Sequence, residues 1–306
     1  MEAPTITELQ DFTLKSYVRL LEYLKQRYRI IPFCDVNYED TPYLILRHDI
    51  DISPSDALTM AKIEKDLNVK STYFVLFSST FYNLFQGRNI AIIKQISELG
   101  HEIGLHYHPA QYRLYNQNPE ETLKAEIQLL ESFLGKRMRS ISRHGPWDMD
   151  SFASSREYVN ANHPYLRADL FVHESNRAWT TLKGLLDLLN NPHERVQLLI
   201  HSENWQEAKI DRESLLRRHT QVVEKRIENA RNFMLDYYKT DPLVIEYEKS
   251  IKNTDSNYLN QLPLDKNLQT PDWKSLFRYY LIHTKIGWNL RKTKGKIKRE
   301  FARAKR

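Results

Sequence analysis

The chain has 306 residues, 41% hydrophobic and 27% charged, the make-up of a globular protein able to bury a full core. Eight glycines argue against a loop-dominated or repeat-rich architecture, and the lone cysteine, Cys34, excludes an internal disulfide and fits a reducing compartment. The net charge of +6 is uneven: residues 285–306 hold ten Lys/Arg and one Glu, a net of +9, so the rest is mildly acidic. No basic N-terminal segment leads into an apolar one, and no run of about 18 apolar residues occurs, so a cytoplasmic, non-spanning protein is expected.

In chain order, Leu14, Tyr17, Val18, Leu21, Leu24 and Tyr28 recur at helical spacing behind Thr13, a cap residue. A strand follows over 43–47, then a helix over 53–67 with Pro54 in its first turn. Residues 71–77 read as a buried strand and 90–99 as a helix stopped by Gly100. The alternation continues with a strand over 102–107, a helix over 119–134 ended by Gly135, a strand over 139–143 and a helix over 150–160. A strand over 169–172, a helix over 180–189, a strand over 196–200 and a long helix from Asp211 through Tyr237 complete it. Strands and helices alternating at these lengths predict an α/β protein with a parallel sheet.

Polar clusters sit at the C-terminal ends of several strands: Asp49 and Asp51, His106 and His108, Arg143 and His144, Glu174, and His201. That distribution predicts a barrel, whose working residues come from many strand ends. No Gly-rich phosphate loop is present. Residues two apart on an extended segment point the same way, so both carboxylates and both imidazoles could converge. Such a set suits a divalent metal with a general base beside it, and therefore a hydrolase.

Four motifs in register carry a family resemblance: Leu46-Arg47-His48-Asp49-Ile50-Asp51, Gly100-His101-Glu102-Ile103-Gly104-Leu105-His106, Arg143-His144-Gly145-Pro146-Trp147, and Leu199-Ile200-His201 before Trp205. Over about residues 13–205 the chain resembles the polysaccharide deacetylase superfamily (NodB homology, carbohydrate esterase family 4), in a branch with an Arg-His-Asp-x-Asp first motif. The resemblance implies a distorted (β/α)7-type barrel and metal-assisted removal of an N- or O-acetyl group. It makes one aspartate of the first motif the base and another a ligand; the preferred assignment is Asp49 as base and Asp51 as ligand. By the same resemblance His106 is a metal ligand, His201 protonates the leaving group and Arg143 orients the base.

Two departures shape the site. Ile50 separates the aspartates that are adjacent in better-known members, and Ala110 stands where those members place the second metal histidine. His108 is the expected substitute, with His101 and His144 as alternates. Zinc is the expected metal, with cobalt or nickel as options. Substrate contacts are expected from Trp147, Trp179, Trp205, His144 and Glu174, the last also able to orient His201. The three-part reading is a barrel over 1–250, a linker over 251–271 and a basic, aromatic, amphipathic helical tail over 272–306. Its Trp273, Leu276, Phe277, Tyr280, Leu281 and Trp288 precede the basic run, which suits the surface of an anionic membrane; nucleic acid is the less favoured partner. The expected substrate is an acetylated sugar, nucleotide- or lipid-linked, used in making a surface polysaccharide. Two rival readings are a metal-independent cyclic amide hydrolase on the same fold and a non-catalytic glycan- or membrane-binding protein.

Overall fold

Thr13 caps the first helix by accepting the Ser16 N–H at 3.2 Å, which starts α1 (Leu14–Lys25). Ser53 caps α2 (Pro54–Asp66) in the same way, and Asn118 caps α5 (Pro119–Leu134). Between these lie α3 (Gly87–Glu98) and the short α4 (Pro109–Leu114), and α6 (Arg212–Thr240) follows the last strand. Gly135 ends α5 in the left-handed region at φ 65°, a conformation glycine adopts without a Cβ clash. This computed structural model describes residues 12–240, except 38, 40, 115–117, 146–156, 164–165, 167–168 and 175–192.

Among the described residues, eight strands form one sheet in which every pairing is parallel: β1 (Arg29–Ile31), β2 (Tyr43–Ile50), β3 (Thr72–Leu76), β4 (Glu102–Tyr107), β5 (Ser140–Arg143), β6 (Val159–Asn160), β7 (Leu170–His173) and β8 (Arg195–Ile200). Seven follow the order β6-β5-β4-β3-β2-β8-β7, a curled half-barrel in which β2 lies between β3 and β8. Along one edge β2 pairs β8 from Tyr43 to His48; along the other, β1 takes positions 43–45 and β3 takes 47–50.

Alternation along the strands divides the core. Outward-facing residues pack under the helices in two clusters, one including Tyr17, Leu44, Leu46, Leu198 and Trp205, the other Tyr73, Val75, Leu105, Tyr107 and Ile141. A smaller cluster fills the inside: Ile31, Phe33, Tyr43, Ile45, Phe74, Ala161 and Leu166. Gly104 faces this interior, where an added Cβ would lie 2.5 Å from the Phe74 ring and 2.8 Å from Ser140 Oγ. Gln197 spans the interior from β8, donating to Ala161 O at 3.0 Å.

The α/β half-barrel agrees with the architecture expected from the sequence, with three local corrections. Residues 159–160, expected at the end of a helix, form β6, because Val159 N–H and Ala161 N–H are taken by backbone carbonyls of β5 and its approach. The strand β1 and the helix α4 were not legible as elements, being only three and six residues long. β2 runs three residues past its expected end, to Ile50, because β3 continues to pair with it. The expected helix over 180–189 and the tail over 272–306 lie outside the described residues. Among the described residues, no helix is long and apolar enough to cross a membrane.

Candidate active site

β2 delivers three polar residues to the inside of the barrel at every second position: Arg47, Asp49 and, just beyond the strand, Asp51. Arg47 grips Asp49 with two parallel bonds, Nε to Oδ1 at 2.9 Å and a terminal nitrogen to Oδ2 at 2.8 Å, with both residues almost fully buried. The same guanidinium donates to Gln197 Oε1 at 3.2 Å and to Ser142 Oγ. Burial alone would raise the Asp49 carboxyl; the Arg47 and His106 charges outweigh it and hold it below the ordinary carboxylate range.

Between them, His48 points outward, away from the site. Its Nε2 lies 2.7 Å from Glu64 Oε1, and Tyr73 stacks on its ring at 4.3 Å. Glu64 also accepts from Tyr17 and Ser71, and His101 lies 3.4 Å away with its Nε2 on Ala61 O. His101 is thus committed to this outer network and does not face Asp49 and Asp51.

From β4, His106 sets its Nδ1 3.1 Å from the Ser142 carbonyl, an arrangement in which Nδ1 carries the hydrogen and Nε2 faces the site with its lone pair. That Nε2 lies 3.4 Å from Asp49 Oδ2, 3.4 Å from Asp51 Oδ1 and 3.1 Å from His144 Nδ1. His144 Nδ1 is itself 3.4 Å from Asp51 Oδ1. Asp51, His106 and His144 therefore offer one carboxylate oxygen and two imidazole nitrogens, all within 4.8 Å of one another. Asp51 Oδ1 is buried and accepts no well-aligned hydrogen bond among the described residues.

This triad differs from the expected ligand set. His108 was expected as the second histidine; β4 ends at Tyr107, and His108 instead opens α4, its carbonyl accepting from Gln111 and Tyr112. Its ring lies edge-on to His144 with centroids 4.9 Å apart, behind the triad. Burial pushes His108 and His106 down to about 4, whereas His144 is raised: burial opposes, and the Asp51 carboxylate prevails.

On the far side of Asp51, His201 follows β8 with its Nε2 3.6 Å from Asp51 Oδ2. Glu174, fully buried, takes the other side of that ring, with Oε2 3.3 Å from Nδ1 and Oε1 accepting the His201 backbone N–H. Burial lowers the imidazole, but Glu174 and Asp51 raise it well above its ordinary value. Glu174 thus orients His201; being fully buried, it does not line a substrate groove as expected.

Other expected residues fall elsewhere. The guanidinium on Asp49 is that of Arg47, whereas Arg143 pairs in register with Tyr107 on the opposite face from Ser142. Trp205, expected on a sugar, is buried between Tyr17 and Phe12, with centroids at 5.1 and 5.3 Å. Trp147 and Trp179 lie outside the described residues. His144 stands in the triad and keeps about a third of its side chain open to solvent. Unread in the sequence were Arg47, Ser142, Gln197 and Glu203, whose buried carboxyl beside His201 and Asp51 is pushed up to about 8 by burial. Gln197 had a signal: it is the one polar side chain within the apolar run of β8, which marks an inward position.

The donor set fits a divalent cation. Two imidazoles and one carboxylate suit a catalytic zinc or similar ion and leave coordination positions for water and substrate. The Asp51 oxygen without a hydrogen bond is what such an ion would satisfy.

No protein-family model and no curated protein matches the chain. Among solved structures it is similar to a CE4 family pseudoenzyme from Bacillus anthracis, at 15% identity and TM-score 0.38, covering 61% of this chain and 63% of that one. The chitin deacetylase of Colletotrichum lindemuthianum is similar at 16% identity and TM-score 0.38, over 64% and 86% of the two chains. So is a family 4 acetyl xylan esterase from Clostridium thermocellum, solved with a cobalt ion, at 15% identity and TM-score 0.33, over 61% and 84%. The chain thus spans less than two thirds of the length of the first of these.

Proposed function

We propose that the chain is a metal-dependent hydrolase that removes an acetyl group from an acetylated carbohydrate. The observation that carries the reading is the triad of Asp51, His106 and His144, with the clamped Asp49 on one side and the Glu174-held His201 on the other. The family resemblance of the four motifs supplies the acetyl group and the sugar. A nucleotide- or lipid-linked sugar of a surface polysaccharide is the substrate class proposed, with zinc as the ion and the cytoplasm as the location. The basic tail is proposed to hold the chain peripherally on an anionic membrane.

Asp51, His106 and His144 would hold a divalent ion, which when bound would polarise a carbonyl and make water more acidic. The chain's own groups divide the proton transfers. Asp49 stays ionised beside Arg47, with Oδ2 turned toward His106 and the triad, so it receives the proton of the attacking water. Arg47 fixes the direction of that carboxylate through two bonds and leaves little rotational freedom. His201 stays protonated, because Glu174 and Asp51 face it, and gives its Nε2 proton to the leaving amine or alcohol.

Release of acetate from acetylated chitooligosaccharides, with zinc supplied, tests this directly. Asp49→Asn and His201→Ala should each lower turnover by about 10²–10⁴-fold. Turnover in Asp49→Asn equal to wild type would remove Asp49 as the base.

A further inference from the structure

The other end of the half-barrel carries a polar cavity. Its volume is about 250 Å³, and it lies at the N-terminal ends of β3, β4 and β5, whereas the aspartates and histidines of the candidate active site lie at the C-terminal ends. Four cations surround it: Lys70 before β3, and Lys136, Arg137 and Arg139 on the approach to β5. Met138 between the two arginines is buried, so Arg137 and Arg139 share the opposite side of an extended segment. Lys136 is anchored on Ser97, with Nζ 3.0 Å from Oγ.

Among the described residues none of these cations is in an ion pair. Two acids also line it: Asp35 accepts from the Cys34 thiol, and Glu102 Oε2 accepts from Cys34 N–H at 2.9 Å and Thr72 Oγ1 at 2.6 Å, while Glu102 Oε1 is buried without a hydrogen-bond partner among the described residues. Burial also raises the Glu102 carboxyl above its ordinary value. Like charges gathered around a concavity without carboxylate partners raise the local concentration of anions. Arginine and lysine side by side suit phosphate oxygens, the one by its planar fork and the other as a point charge.

We propose that this cavity binds a phosphate-bearing anion, as a site separate from the proposed chemistry at the other rim. The chemistry is common to a free phosphate compound and a lipid headgroup, so the test has two arms. Inorganic pyrophosphate is titrated calorimetrically into the full chain, wild type beside Lys70→Ala/Arg137→Ala/Arg139→Ala. The same pair is co-sedimented with phosphatidylglycerol vesicles; residues 285–306 contribute equally to both proteins there. A loss of pyrophosphate affinity of at least about tenfold in the variant assigns a free anion. A comparable loss confined to the vesicles assigns a headgroup. Equal behaviour of the two proteins in both arms overturns the proposal. All three side chains are exposed, so the variant should melt with the wild type; if it does not, Lys70→Glu replaces it in the same two arms.

Discussion

Ile50 separates Asp49 from Asp51, and this spacing sets the geometry of the whole site. Carboxylates two apart on an extended chain face the same way, whereas adjacent ones would face opposite sides of the sheet. Arg47 belongs to the same series, which is why one strand supplies both the carboxylate and the guanidinium that holds it. The shared direction of the two carboxylates was open to a reader of the sequence, since the period of two needs no partner strand. The choice between His108 and His144 was not, because it depends on where β4 stops: with the strand ending at Tyr107, His108 leaves the period and joins a helix. Close packing at single residues gives a sharp expectation for Gly104. A Cβ there meets the Phe74 ring and Ser140 Oγ inside van der Waals distance, so Gly104→Ala should cost about 1–3 kcal/mol in a chemical denaturation series. An unchanged midpoint would mean that the interior at that level is looser than the structure shows.

At the scale of elements, β2 is fixed from behind by α1 and α2. Glu64 of α2, Tyr17 of α1 and His48 of β2 meet in a fully buried cluster that locks the strand carrying Asp49 and Asp51. Burial raises the Glu64 carboxyl, but His48, His101 and Ser71 bring it below its ordinary value. A carboxyl depressed on folding adds stability above its unfolded pKa, near 4.5, and that stability is lost as pH falls toward the folded value. His101 is also lowered, by burial, so acidification below its unfolded value near 6.5 favours the unfolded chain as well. Stability of the wild type should therefore fall from about pH 6.5 downward, and Glu64→Gln should flatten the part of that fall below about pH 5. Parallel acid-denaturation curves for the two proteins would assign the loss to other groups. The helix cap at Thr13 was legible as sequence because a cap is local chemistry. The two-residue strand β6 was not, because its pairing depends on the neighbouring backbone of β5.

For the whole molecule, the curled sheet gathers side chains from β2, β4, β5 and β8 at one rim, residues separated by up to about half the chain length. The strand-end pattern of polar residues made that convergence readable; the buried contacts among Arg47, Ser142 and Gln197 depend on which strands become neighbours and did not. A site assembled this way should stabilise the fold when filled. Saturating zinc should raise the melting temperature of the wild type and leave that of a His106→Ala/His144→Ala protein unchanged.

Metal content of the purified chain is the most direct test, measured for wild type, His106→Ala/His144→Ala and His108→Ala after incubation with zinc and removal of excess ion. The account predicts about one ion per chain in the wild type and in His108→Ala, and loss of that ion in the double variant. A wild type that stays empty, or an ion lost in His108→Ala and kept in the double variant, would contradict it.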